Sequence, residues 1–182
     1  MALIEIRNLS GHTRLGLWRM DEPFDGTPRQ WERRAVEMLI ETMTGKQLVV
    51  DHEPSGKPVL EGWHVSISHT RGFAAVVLSD CEEVAVDIEY QSDRVGRIAE
   101  RFIREDESVA TIEEMLLLWS AKETLYKLFS ADNLQFFEMR LCSMGQRAML
   151  LENMKQKKIV GICFEITDDY VLTYTSLPTE RL

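Results

Sequence analysis

The chain has 182 residues, 45% hydrophobic and 28% charged, the balance of a soluble globular protein able to bury a core in one domain or two small packed halves. Its net charge of −9 leaves no overall basic footprint for nucleic acid, and no apolar run approaches the ~18 residues of a membrane helix. Met1 to Arg7 lacks the basic front and apolar centre of a leader, and the odd, scattered set Cys81, Cys142 and Cys163 reads as reduced core thiols, so a cytoplasmic protein is expected.

Leu3 to Arg7 and Arg14 to Arg19 read as short strands bridged by Ser10-Gly11. Asp25-Gly26-Thr27-Pro28 is a loop into a helix, with Thr27 as N-cap and Pro28 in the first turn. That helix, Arg29 to Met43, sets Val36, Leu39, Ile40 and Met43 at helical spacing and stops near Gly45. A strand at Leu48 to Asp51 and a turn at Pro54-Ser55-Gly56 follow. His64 to Ser68 and Phe73 to Ser79 read as strands joined by Thr70-Arg71-Gly72.

The next strand is acidic. In Val84-Ala85-Val86-Asp87-Ile88-Glu89-Tyr90, alternation puts Val84, Val86, Ile88 and Tyr90 on one face and Asp87 and Glu89 on the other. Neighbouring carboxylates repel unless a cation joins them, and hard oxygen ligands suit Mg²⁺, which takes one or two carboxylates beside phosphate and water. A solvated strand face is the plain alternative. Arg97 to Arg104 reads as helical, and with Arg94 its arginines at spacings of three, four and three form a basic stripe: a solvated face, or a dock for an acidic partner.

A long helix follows at Ile112 to Phe129, where Trp119, Glu123 and Lys127 recur every fourth residue on one face. Glu123 and Lys127 read either as a surface pair or as one more carboxylate for a metal and one cation for a phosphate. Strands are expected at Phe136 to Met144, Met149 to Glu152, Ile159 to Ile166 and Tyr170 to Ser176. Each half thus carries a helix followed by antiparallel strands, and no Gly-, Ser- or Pro-rich linker separates them.

Val-Ala-Val-Asp-Ile-Glu and Trp-Ser-Ala-Lys-Glu-Thr-Leu-Tyr-Lys resemble the two signature segments of the 4′-phosphopantetheinyl transferases. Gly56-Lys57-Pro58, Ser66-Ile67-Ser68-His69-Thr70, and Arg101-Phe102-Ile103 followed by Glu107 are similar to further segments of the larger, surfactin-synthetase-activating type. Order and approximate spacing match from residue 56 to residue 127, with Ala85 where the family usually has glycine.

The resemblance implies an α+β fold of two pseudo-symmetric halves, each a long helix on a small antiparallel sheet. Residues 1–90 would carry the coenzyme A nucleotide contacts and the acidic strand, and 91–182 the Trp-Ser-x-Lys-Glu helix, in one compact monomer with the site between halves. It implies transfer of the phosphopantetheine arm of coenzyme A to a serine of an acyl or peptidyl carrier protein, with release of 3′,5′-ADP: holo-acyl-carrier-protein synthase activity. Asp87, Glu89 and Glu123 would hold Mg²⁺, Lys127 would contact a coenzyme A phosphate, and Glu123 or a water on the cation would be the base. Lys57, Ser68, His69 and a first-helix arginine, Arg34 in preference to Arg33, would bind coenzyme A. Lys122 also matches the pattern but points to another side of the helix. Taken alone, His69 reads as a structural histidine, Gly56-Lys57-Pro58 as a turn, and the first-helix arginines as an exposed basic turn. Two other readings use the same residues: a non-catalytic coenzyme A or carrier-protein binder, and a Mg²⁺-dependent phosphoesterase. Neither nucleic acid nor membrane is an expected partner.

Overall fold

Thr27 begins the first helix, α1 (Pro28–Thr44), through a reciprocal cap. Its hydroxyl accepts the Gln30 N–H at 3.3 Å, while the Gln30 side chain accepts the Thr27 N–H at 2.8 Å. Gly45 ends the helix in the left-handed region at φ 71° and donates its N–H to the Glu41 carbonyl at 2.7 Å. The computed structural model describes residues 2–20 and 26–178; Asp25, expected in the preceding loop, lies outside the described residues.

α1 buries Ala35, Val36, Leu39, Ile40 and Met43. These pack with Trp18, Val65, Val76 and Leu78 over a four-stranded antiparallel sheet ordered β1-β2-β6-β5. Its strands are β1 (Ala2–Asn8), β2 (Thr13–Arg19), β5 (His64–Thr70) and β6 (Phe73–Ser79). Helix and sheet meet directly at Gly16, where an added Cβ would lie 2.6 Å from Met43 Sδ and 2.8 Å from Leu39 Cδ1. Gly72, at φ 81°, makes the tight turn between β5 and β6. The expected strand at 48–51 shrinks to β3 (Asp51–His52), paired with β4 (Pro58–Val59). Leu48 and Val50 pack instead against the α1 core, so packing satisfies the apolar alternation that pairing was expected to use.

Contacts divide the chain into two units. The first runs to Ile88 and takes in the chain from Ser176; the second is Glu89–Thr175. The strand β7 (Glu82–Tyr90) leads from one into the other. Its two faces differ from the alternation expected: Val84, Ala85, Val86, Asp87 and Ile88 are all buried, so Asp87 does not stand on a solvated face.

In the second unit, the helix expected at 97–104 is a 3₁₀ helix over Asp93–Arg101, which starts and ends earlier in the chain. Ser92 caps it by accepting the Arg94 N–H, and Gly96 lets Ile112 approach, since an added Cβ would meet Ile112 Cδ1 at 2.9 Å. The long helix α2 (Ile112–Leu128) lies on an antiparallel sheet that runs β11-β10-β9-β8. Those strands are β8 (Met139–Met144), β9 (Ala148–Asn153), β10 (Lys158–Ile166) and β11 (Tyr170–Pro178). Leu117, Leu118, Leu125, Met149, Leu151 and Ile162 are buried in this unit. A buried polar seam crosses it, where Thr173 Oγ1 donates to the Ser120 carbonyl at 3.0 Å and lies 2.6 Å from Thr124 Oγ1. Phe136–Glu138, expected as strand, forms a 3₁₀ turn, and the Phe136 ring packs on Trp119. The three cysteines are exposed rather than core thiols. Cys81 sits in the turn before β7, while Cys142 and Cys163 stand at exposed positions of β8 and β10.

Thr111 and Glu114 cap α2 as Thr27 and Gln30 cap α1. The Ala110 N–H, and then that of Thr111, hold the Glu114 carboxyl below its ordinary value of 4.5. A lowered carboxyl stabilises the fold above its unfolded value, and that contribution is lost as pH falls through the folded value. Glu114→Gln keeps an acceptor but removes the charge, so its thermal midpoint is expected to fall less steeply than the parent's below pH ~4.5. Parallel acid limbs for the two proteins would contradict this.

Candidate active site

In the first unit the acidic strand is held by serine hydroxyls. Ser66 Oγ accepts the Val86 N–H at 3.0 Å, and Ser68 Oγ accepts the Ile88 N–H at 3.3 Å. The Ser68 hydroxyl also donates to Asp87 Oδ1 at 2.9 Å, and Asp87 is 5% exposed. The buried Asp87 carboxylate thus accepts from a neutral donor on β5. Ala85, at the position where glycine is usual, is fully buried.

Alternation on β5 sends its other side chains elsewhere. Ile67 and His69 line a cavity of about 690 Å³ with Arg29, Arg33 and Arg34 of α1 and with His52. His69 Nδ1 lies 3.6 Å from Glu32 Oε1, and Arg34 pairs with Glu37 at 3.8 Å. The structure therefore brings His69 and Arg34 to one cavity, but Lys57 is not among its described lining residues. Lys57 lies 3.7 Å from Glu83, whose other oxygen is 3.0 Å from His64 Nδ1.

In the second unit the Trp119 indole N–H donates to Glu89 Oε1 at 2.9 Å, joining the end of β7 to α2. Glu123, half-buried on α2, lines a cavity of about 240 Å³ with Tyr126, Asn133, Leu134, Gln135, Phe136 and Met139. Lys127 is half-buried in the last turn of α2, where the helix dipole favours a cation. On the 3₁₀ helix Arg94, Arg97 and Arg101 are exposed. Arg104 instead binds Asp106 at 2.8 Å and the Phe137 carbonyl.

Lys122 has a role that its place in the motif does not reveal. Its side chain is fully buried, with Nζ donating to Glu107 Oε2 at 2.8 Å and to the Phe102 carbonyl at 2.6 Å. Glu107 also accepts the backbone N–H groups of Arg104 and Leu141 at 2.9 and 2.7 Å. Burial draws the Lys122 ammonium below the ordinary lysine value, and the bond to Glu107 opposes that draw. The sequence signal was available: a lysine between Ala121 and Leu125 on a helix apolar on several sides needs a buried partner.

Asp87 in the first unit, and Glu89 and Glu123 in the second, each offer carboxylate oxygens, the donor type that suits a hard divalent cation such as Mg²⁺. The model of the 4′-phosphopantetheinyl transferase superfamily matches residues 83–175, just over half of the chain, and the chain belongs to that superfamily. The reaction class that comes with it is phosphopantetheine transfer. No curated protein matches the chain. Among the described residues, no helix is long and apolar enough to cross a membrane.

Proposed function

We propose that this chain transfers the 4′-phosphopantetheine arm of coenzyme A to a serine of an acyl or peptidyl carrier protein, releasing 3′,5′-ADP. In this reading it is a Mg²⁺-dependent holo-acyl-carrier-protein synthase of the larger, surfactin-synthetase-activating type. It acts as a monomer, with residues 1–90 and 91–182 as pseudo-symmetric halves. The observation that carries the reading is the bond from Trp119 to Glu89, which ties the two signature segments together.

Asp87, Glu89 and Glu123 would hold Mg²⁺, which when bound supplies charge neutralisation at the pyrophosphate. Lys127 offsets charge on the phosphate oxygens, and Glu123 takes the proton from the attacking carrier serine. His69 and Arg34, on the cavity beneath α1, anchor coenzyme A, with Lys57 at its nucleotide end. Ser68 serves the same end of the site beside His69 while steadying Asp87.

Mass spectrometry of an apo carrier protein incubated with the chain, coenzyme A and Mg²⁺ tests the proposal. A carrier heavier by one phosphopantetheine arm is expected; free phosphopantetheine would mark a phosphoesterase, and no product a binder.

The exposed arginines supply the local positive charge that an acidic carrier needs against a net charge of −9. Arg97→Glu and Arg101→Glu are expected to weaken carrier binding at low salt, less so at high salt, and to leave coenzyme A binding unchanged. Carrier affinity equal to the parent's at low salt would remove these residues from the docking surface.

A further inference from the structure

We infer that Trp119 is a positioning residue for the cation, acting through Glu89. The inference rests on the reading of Glu89 as a ligand. An indole N–H can only donate, and at 2.9 Å from Glu89 Oε1 it makes a charge-assisted bond to one oxygen of the carboxylate. That contact fixes the rotation of a terminal carboxylate, a torsion that is otherwise broad.

The indole is itself clamped. Phe102, fully buried, meets it edge-on with centroids 5.2 Å apart, and Phe136 lies against it at 4.9 Å. The carbonyls of both phenylalanines accept from Lys122 Nζ, at 2.6 and 3.5 Å. From Glu107 through Lys122 and the two rings to Trp119, a run of packed and hydrogen-bonded groups ends on Glu89. Partners of this kind outside the ligand shell orient a ligand and raise its affinity for metal.

The test is Mg²⁺ affinity, measured by calorimetry without coenzyme A, for the parent, Trp119→Phe, Glu89→Ala and the double variant. Trp119→Phe keeps an aromatic ring and deletes the donor. It is expected to lower Mg²⁺ affinity about tenfold or more, as outer-partner losses do. In the Glu89→Ala background it is expected to have no further effect, whereas a loss of packing alone would add. Parental affinity in a folded Trp119→Phe, or a full additional loss in the double variant, overturns the inference. Parental affinity in Glu89→Ala overturns the ligand reading itself, which separates the two failures.

Should Trp119→Phe not fold, near-ultraviolet absorbance of the tryptophans gives a second readout. The other three, Trp18, Trp31 and Trp63, belong to the first unit. Mg²⁺ is expected to perturb the indole band of the parent and not that of Glu89→Ala. An unperturbed parent band at saturating Mg²⁺ overturns the inference.

Discussion

Asp87→Ala is expected to abolish transfer and to weaken Mg²⁺ binding together, because it removes a buried carboxylate that Ser68 holds in place. Outer partners alone move metal affinity by roughly 10–100-fold, and loss of a ligand should exceed that. Lys127→Ala is the informative contrast. Its proposed partner is a phosphate, so Mg²⁺ affinity without coenzyme A should stay near the parent's while transfer falls. A surface Glu-Lys pair would predict only ~0.3–0.5 kcal/mol of lost stability and unchanged transfer. Near-parental transfer by Asp87→Ala at saturating carrier and coenzyme A would refute the metal assignment.

The second large effect concerns stability. Lys122→Ala is expected to cost about 3–5 kcal/mol, since it strands the buried Glu107 carboxylate without its cation. At roughly 2–4 °C per kcal/mol for a chain of this size, the thermal midpoint should drop by about 6–20 °C. Arg104 offers the comparison. Its bond to Asp106 is at the surface, so Arg104→Ala should shift the midpoint far less, even though Asp106 holds the guanidinium above its ordinary value. Equal small shifts in both variants would show that the Lys122 pair contributes little.

How far the sequence reached depended on how local each determinant was. Thr27, Pro28 and Gly45 mark the ends of α1 by their own backbone preferences, and they stand where they were read. Ser66 gave no such signal. Its hydroxyl matters only because β5 passes beside β7, a contact twenty residues apart in sequence. The strand expected at 48–51 failed because the alternation of Leu48 and Val50 says which side chains seek cover, not whether another strand is available. In the same way, cysteine's usual burial says nothing of Cys81, which falls in a turn.

Asp87, Glu89, Glu123 and Lys127 are the proposed site residues because their types and order carry the family resemblance. Their partners were less legible in the sequence. Helical spacing puts Trp119 on one face with Glu123, but its bond to Glu89 joins residues thirty apart. Glu107 appeared only as the end of a segment, and its three hydrogen-bonded partners lie on separate stretches of chain. The resemblance points Ser68 toward coenzyme A, and its hydroxyl in the fold also bonds Asp87 and the Ile88 N–H.

Passage of the phosphopantetheine arm from coenzyme A to a carrier serine can be followed by counting products in one reaction. Released 3′,5′-ADP and modified carrier are measured together, with the intact apo carrier and with its acceptor serine changed to alanine. One 3′,5′-ADP is expected for each modified carrier, and neither product with the alanine carrier. Release of 3′,5′-ADP that continues unchanged with the alanine carrier would contradict transfer to the carrier serine.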